Sequence, residues 1–535
     1  MRILPINWPQ PSIGRRIPDH HFQSRPHLLD YGIAVLLLMV AADVLFFDTL
    51  GRSVGLSVPL FAAILTLAVA ICHRRLLGRH LAPYALLLSF ALLTLIENVD
   101  GKSLTMATAC MACFALAAAR RLPSGLDAPV ALGRFLAVMP IALLGDIRRR
   151  VLARRKMARR GSGSLTGART WWIWVMPLAL TVGFVFLLRA GNPILEHWLA
   201  LINPMLLLER IDPGRIVFWI LVAGFAWPFL RPRLRRPVGK TVAAWPVTAT
   251  KVIGVLPAWS PLVYGPAAVL RALVLFNAVF AAQTLLDAAY LWGGLGLPAG
   301  VDYAAYAHRG AYTLMATALL AAAFVLLALR PGAAADRRIR ALVYLWIGQN
   351  VVLVLSAMLR LDLYVDVYAL THWRLAAFVW MGIVTAGLVL ICMRIAWRFS
   401  NRWLVGANMA AAAFVFAGSC FVDADSLIAR FNVDHSREIS GQGVRLDVPH
   451  LASLGPAAIP AINDFLAYAG SIESPMLEPR LPVVPRLRGL RDRLAEIHRT
   501  RSQDWRNWSF RGWRLSRYLE NNPVPATLTG SAWPG

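Results

Sequence analysis

Apolar runs close to the length of a bilayer span recur from about residue 30 to residue 421, with short basic patches between them. A bilayer needs about 20 apolar residues per helical crossing. The chain is 58% hydrophobic and only 16% charged, and a water-soluble fold could not bury that much apolar surface. The pattern predicts an all-α, polytopic helical integral membrane protein with about eleven transmembrane helices, ten to twelve at the limits.

The spans fall at roughly 31–48, 55–72, 81–97, 102–119, 170–189, 214–230, 267–291, 311–329, 341–359, 374–396 and 403–421. Basic turns at 73–80, 120–121, 148–160, 231–240, 330–340 and 393–402 all fall on one side of this arrangement. By the positive-inside rule that side is cytoplasmic, with the N-terminus inside and the C-terminus outside. Residues 1–29 read as a flexible cytoplasmic lead without a signal-peptide pattern, 30–421 as the membrane bundle, and 422–535 as a small extracytoplasmic helical segment.

Two stretches resist simple counting. Residues 129–145 have basic patches on both sides, so they read as an amphipathic helix on the cytoplasmic surface, its polybasic continuation facing anionic lipid. A short tilted span is the alternative. Residues 191–213, broken by Pro193, Pro204 and Pro213, suit a re-entrant or interfacial element.

The net charge of +27 follows from this topology rather than from nucleic-acid binding, since no nucleic-acid module accompanies it. The five cysteines lie in or beside apolar runs, and Cys110-x-x-Cys113 reads as two small residues one turn apart on a packed helix. No cofactor is indicated, and no motif for zinc, phosphate or nucleophilic catalysis is present.

Polar residues gather in two places. Asn277, Gln283, Asp287, Gln349 and Asn350 lie on predicted spans. Gln349 and Asn350, near the middle of theirs, must face the bundle interior, as ties between helices or as part of a path for a solute. Asp287 is expected near the outer boundary, where water can solvate it. Gln283, Asp287 and Tyr290 share a helical face, and Arg309 is the expected partner of Asp287. Arg360, Asp362, Tyr364, Asp366, Tyr368, His372 and Arg374 crowd an expected outer loop, and Tyr303, Tyr306, His308 and Arg309 precede a span on the same side. The two blocks should meet at an outer mouth, tied by Arg–Asp pairs or clamping an anionic headgroup.

After the mouth, helix-like pieces are expected at Asp423–Phe431, His450–Ala469 and Leu487–Glu520, the last with Trp505, Trp508 and Trp513 set for a membrane interface.

The run from Tyr303 to Tyr312, YAAYAHRGAY, resembles a block of a large bacterial membrane-protein family known as a domain of unknown function (4173/4153-like). Asn277, Gln283, Asp287, the run Leu345–Asn350, Ser356-Ala357, Arg360-Leu361, Leu363–Val365, Tyr368, Thr371 and Arg374 fit the same pattern. So do Phe421 through Val433 and Asp504–Trp508. The resemblance covers roughly residues 265–520, and Ala369 stands where that family should carry Gly. It implies a bacterial inner-membrane location and supplies no activity.

Three functions are therefore open: a non-enzymatic scaffold or accessory of an envelope or signalling system, a transporter or flippase, and an envelope enzyme on a lipid-linked substrate. The lipid bilayer, anionic headgroups and envelope proteins are the expected partners.

Overall fold

The computed structural model describes residues 28–47, 54–76, 78–159, 176–181, 184, 212–233, 266–292, 337–441, 443–471 and 483–523. Every regular element among them is helical. The first group of helices is α1 (Leu28–Phe46), α2 (Ser57–Cys72), α3 (Ala82–Glu97), α4 (Gly101–Ala118), α5 (Asp127–Val138), α6 (Ala142–Arg159) and α7 (Pro213–Leu230). The second is α8 (Pro266–Asp287), α9 (Arg337–Tyr368), α10 (His372–Ala396) and α11 (Asn401–Ser419). A C-terminal group follows: α12 (Ala424–Asp434), α13 (Arg437–Ser440), α14 (Val448–Ser453), α15 (Ile459–Ser471), α16 (Val483–Ser502) and α17 (Phe510–Asn521).

Among the described residues, seven helices are long and apolar enough to cross a membrane, or eight if the bent pair Asn401–Ser419 and Ala424–Ser440 is one span. Their ends are set by local chemistry. Asp100 and Ser103 form a reciprocal capping box at the start of α4, and Asp212 caps α7 just before Pro213, which fits a first helical turn. Many apolar side chains on these helices stay exposed, Leu36, Leu86, Leu221 and Val279 among them, as a lipid-facing surface requires.

The bundle has two chemically distinct ends. One gathers His73, Arg121 and Arg231, which surround Tyr31 and Cys72 at the start of α1 and the end of α2. At the other, Arg215 at the start of α7 reaches Asp43 near the end of α1. There too Lys102 at the start of α4 donates to the Ser419 carbonyl at the end of α11. Positive charge is thus concentrated at the first end.

Residues 127–153 qualify as a span by length and composition, but their contacts run otherwise. Leu126 lies against Gly406 near the start of α11, Phe135 meets Phe229, and Asp146 and Arg150 meet Trp227. Both Phe135 and Arg150 therefore touch the last turn of α7, so α5 and α6 cross the basic end of the bundle instead of running along it. Residues 191–211 and the span expected at 311–329 lie outside the described residues.

Helices α8 and α9 run parallel: Asn277 sits beside Leu342 and Asp287 beside Arg360. Helix α9 has 32 residues and is continuous to Tyr368. At about 1.5 Å per residue it is near 48 Å long, well beyond a bilayer's hydrocarbon core of about 30 Å. Its last turns enter the C-terminal domain, where Val365 joins a core with Ile428, Val433, Leu451, Ile462, Phe465, Leu487 and Leu494. The stretch expected as one piece over 487–520 is two helices, because Asp504 caps a tight turn, Trp505–Asn507, that separates α16 from α17. Helix α16 packs into that core, leaving Trp505, Trp508 and Trp513 partly exposed around α17.

Candidate functional site

The polar residues on α8 and α9 meet at one interface. Asn277 Nδ2 donates to the Leu273 carbonyl at 2.7 Å and across to that of Leu342 at 3.1 Å. Gln349 Nε2 answers with a bond to the Asn277 carbonyl at 3.2 Å. Asn350, fully buried, donates to the Trp346 carbonyl in its own helix at 2.7 Å. The amide donors are spent on main-chain carbonyls, which ties the two helices together. The acceptor oxygens Asn277 Oδ1, Gln349 Oε1 and Asn350 Oδ1 are buried and have no hydrogen-bond partner among the described residues.

Two to three turns further along, Arg360 forms an ion pair with Asp287, which also accepts from Gln283 Nε2 at 2.9 Å. The side chains are only 3% and 1% exposed. The expected placement of Arg360 in an outer loop is therefore corrected: it belongs to α9, and its cation is spent on α8. The reason is the unbroken apolar periodicity on the core-facing side of α9, where Leu353, Val354 and Ala357 precede Arg360 and Val365 follows it. Arg309, the partner expected for Asp287, lies outside the described residues, as do Tyr303, Tyr306 and His308.

The connection after α9 is short. Ala369 adopts a left-handed backbone (φ 65°), the turn at which the family resemblance calls for Gly. Arg374 holds this turn from the start of α10. Its guanidinium donates to the Tyr368 carbonyl at 2.6 Å and to that of Ala369, and lies 4.6 Å from the ring of Tyr364. Tyr364 and Tyr368 pack at 4.7 Å. His372 pairs with Asp425 at 2.7 Å on the exposed side of α12. Arg360, Tyr364, Tyr368, His372 and Arg374 of the predicted cluster thus have structural partners.

Asp366 faces elsewhere, into a cleft of about 300 Å³ between the end of α9 and the C-terminal domain. Asn432, His435, Arg445, Asp447 and His450 share its lining, and Asp362, one turn before Asp366, lies within electrostatic reach of Asp366 and His435. Asn432 closes the base, exchanging hydrogen bonds of 2.7 and 3.0 Å with the main chain of Leu370. These lining residues were missed from sequence because they come from 60 to 80 positions away, with no shared motif spacing. No group of His, Cys, Asp and Glu suited to a metal ion occurs among the described residues.

A second constellation also escaped the sequence reading. Glu97, buried at the end of α3, pairs with Arg514 of α17, and Arg511 lies 3.6 Å from Glu97 and 3.5 Å from Asp423. Next to it the Gly55 amide donates to the Arg506 carbonyl at 2.9 Å. The C-terminal domain is thereby fastened to the end of the first helix group opposite the basic one.

These features define an all-helical protein of membrane type, its long apolar helices joined to a compact helical domain. More particularly, the chain belongs to the family described as a domain of unknown function (DUF4153), which matches residues 82–465. The match reaches from α3 well into α15, so it takes in most of the first helix group and the motif residues up to Val433, but not Asp504–Trp508. No curated protein and no solved structure matches the chain.

Proposed function

We propose that the protein is a non-enzymatic membrane scaffold, a rigid bundle that holds its C-terminal domain against one face of the membrane for assembly with other envelope components. The observation that carries this reading is the double attachment of that domain. Helix α9 runs from the bundle into its core, and the Glu97–Arg514–Arg511–Asp423 cluster locks it from the opposite side. A moving carrier would gain little from such a clamp, whereas a platform depends on it.

The topology we propose has about eleven crossings, in a bacterial inner membrane, with the basic end cytoplasmic and the C-terminal domain outside. The parallel run of α8 and α9 supports it, since the intervening chain must return from one end of the bundle to the other. The same reasoning supports a crossing between α6, at the basic end, and α7, which starts at the other.

A second reading, a solute path through the bundle, is favoured by one observation: the unspent amide oxygens of Asn277, Gln349 and Asn350 between α8 and α9. Complementation of a strain lacking the gene separates the two. The scaffold reading expects Asn277→Leu and Gln349→Leu to restore growth or envelope integrity, and a chain ending at Phe421 to fail despite normal membrane insertion. Failure of the two leucine variants, with the truncated chain active, would replace the scaffold with the path.

A further inference from the structure

At the basic end of the bundle, among the described residues, guanidinium groups outnumber the carboxylate they contact. Asp146, on α6, is buried and ringed by guanidinium groups. Arg149 and Arg233 address its Oδ1, the latter at 3.3 Å, while Arg231 and the Trp227 indole N–H each reach Oδ2 at 3.3 Å. Arg150 stacks 5.3 Å from the Trp227 ring, and its Nη2 is buried with no hydrogen-bond partner among the described residues. Three arginines thus share one carboxylate, with Arg150 beside them. Burial first, and then the neighbouring Arg233, push the Arg231 guanidinium below its ordinary value, against the opposing pull of Asp146.

The adjoining sequence adds no acid: no Asp or Glu occurs between Asp146 and Glu196, or between Asp212 and Asp287. Packed arginines of this kind call for an external anion, and the planar guanidinium fork suits phosphate oxygens.

Shape then selects among phosphates. The recess beside Asp146 has a volume of only about 20 Å³, and its other walls are Phe135, Val138, Met139, Ala142 and Pro228. It cannot enclose a nucleotide or sugar phosphate, which needs hundreds of Å³. With room for about one water-sized group, it can admit a phosphate oxygen of a molecule whose remainder stays outside against apolar side chains. The helices that form it lie across the end of the bundle, where headgroups are expected, and exposed Ile141, Leu144, Ile147 and Val151 line α6 and the turn before it. We infer that Arg149, Arg150, Arg231 and Arg233 form a binding site for the phosphate of an anionic phospholipid headgroup, with Asp146 spacing the arginines and the apolar wall taking the start of the acyl chains.

The full-length protein in nanodiscs tests this by thermal unfolding. Phosphatidylglycerol, added to a phosphatidylcholine bilayer, should raise the melting temperature of the wild type, and Arg231→Gln/Arg233→Gln should lose most of that shift. Arg150→Gln, which leaves the Asp146 network intact, covers the case in which the double variant does not fold, and it should lose part of the shift. Arg74→Gln/Arg79→Gln, at exposed arginines elsewhere on the basic end, should keep it. An equal shift in all variants, or an equal loss in the Arg74/Arg79 control, would replace the site with a diffuse surface field. Inorganic phosphate giving the same shift without phosphatidylglycerol would overturn the lipid assignment.

Discussion

Arg360 on α9 and Asp287 on α8 form an ion pair that is almost wholly removed from solvent, at the level where the bundle gives way to the C-terminal domain. The pair joins two parallel helices, and its partners lie 73 residues apart in sequence. Its position explains why α9 can run on into the C-terminal domain without exposing a charge to hydrocarbon.

Removing one partner leaves a buried charge. Arg360→Ala should therefore cost about 3–5 kcal/mol, while the double change Asp287→Leu/Arg360→Met should fall within about 1–2 kcal/mol of the wild type. Denaturant unfolding in detergent measures both. Equal losses in single and double variants would mean that the pair is not the unit of stability.

Ala369 sits at φ 65°. A Cβ in that region costs about 1–2 kcal/mol, and a glycine gives back about 0.4–1 kcal/mol through the unfolded chain. Ala369→Gly should stabilise the protein by about 0.5–1 kcal/mol, read from the same unfolding curves. The change restores the residue that the family resemblance calls for at this turn.

Gly55 donates to Arg506 at close range, and a Cβ there would run into the main chain of Asn507 and Trp508. Gly55→Ala should loosen the C-terminal domain from α2 without disturbing either core. Limited proteolysis should then cut faster after Phe421, with Glu97→Gln giving the same pattern by a different route. An unchanged digest for both would remove the clamp from the account.

His498 is held below the ordinary imidazole value of 6.5, first by burial and then by Arg501, and it contacts Ser516 at 2.9 Å. The unfolded chain takes up a proton near pH 6.5, and the folded one only at lower pH. Stability should be unaffected above that value and should fall as the pH drops below it. His498→Gln should flatten the fall between about pH 6.5 and pH 5, a comparison made by thermal unfolding at stepped pH.

How much of this could be read from the chain depends on the range of each interaction. Hydropathy, a local property, located α1 to α4, α7, α8, α10 and α11 and the start of α9 within a few residues, and the basic turns marked the end crossed by α5 and α6. Asp287 and Arg360 were each recognised, but their pairing was not. Helical continuity past Leu359 depends on Val365 and Leu370 packing against Ile428 and Phe465, contacts no local pattern announces. The same limit hid the cleft, whose Asp366 lies on α9 and His435 just past the end of α12, and the Glu97–Arg514 clamp, whose partners are 417 residues apart. Periodicity fixes which face of a helix is apolar; it does not fix which helix that face will meet.

The central claim is that Asn277, Gln349 and Asn350 are ties inside a packed interface and not the lining of a water-filled path. Thiol accessibility in native membranes tests it directly, in a chain whose five cysteines have been replaced. Cysteines placed singly at 277, 349 and 350 should stay unlabelled by a membrane-impermeant maleimide, while one at exposed Asp366 should react rapidly. Labelling at 277 and 350 as fast as at 366 would contradict the account and establish an aqueous path through the bundle.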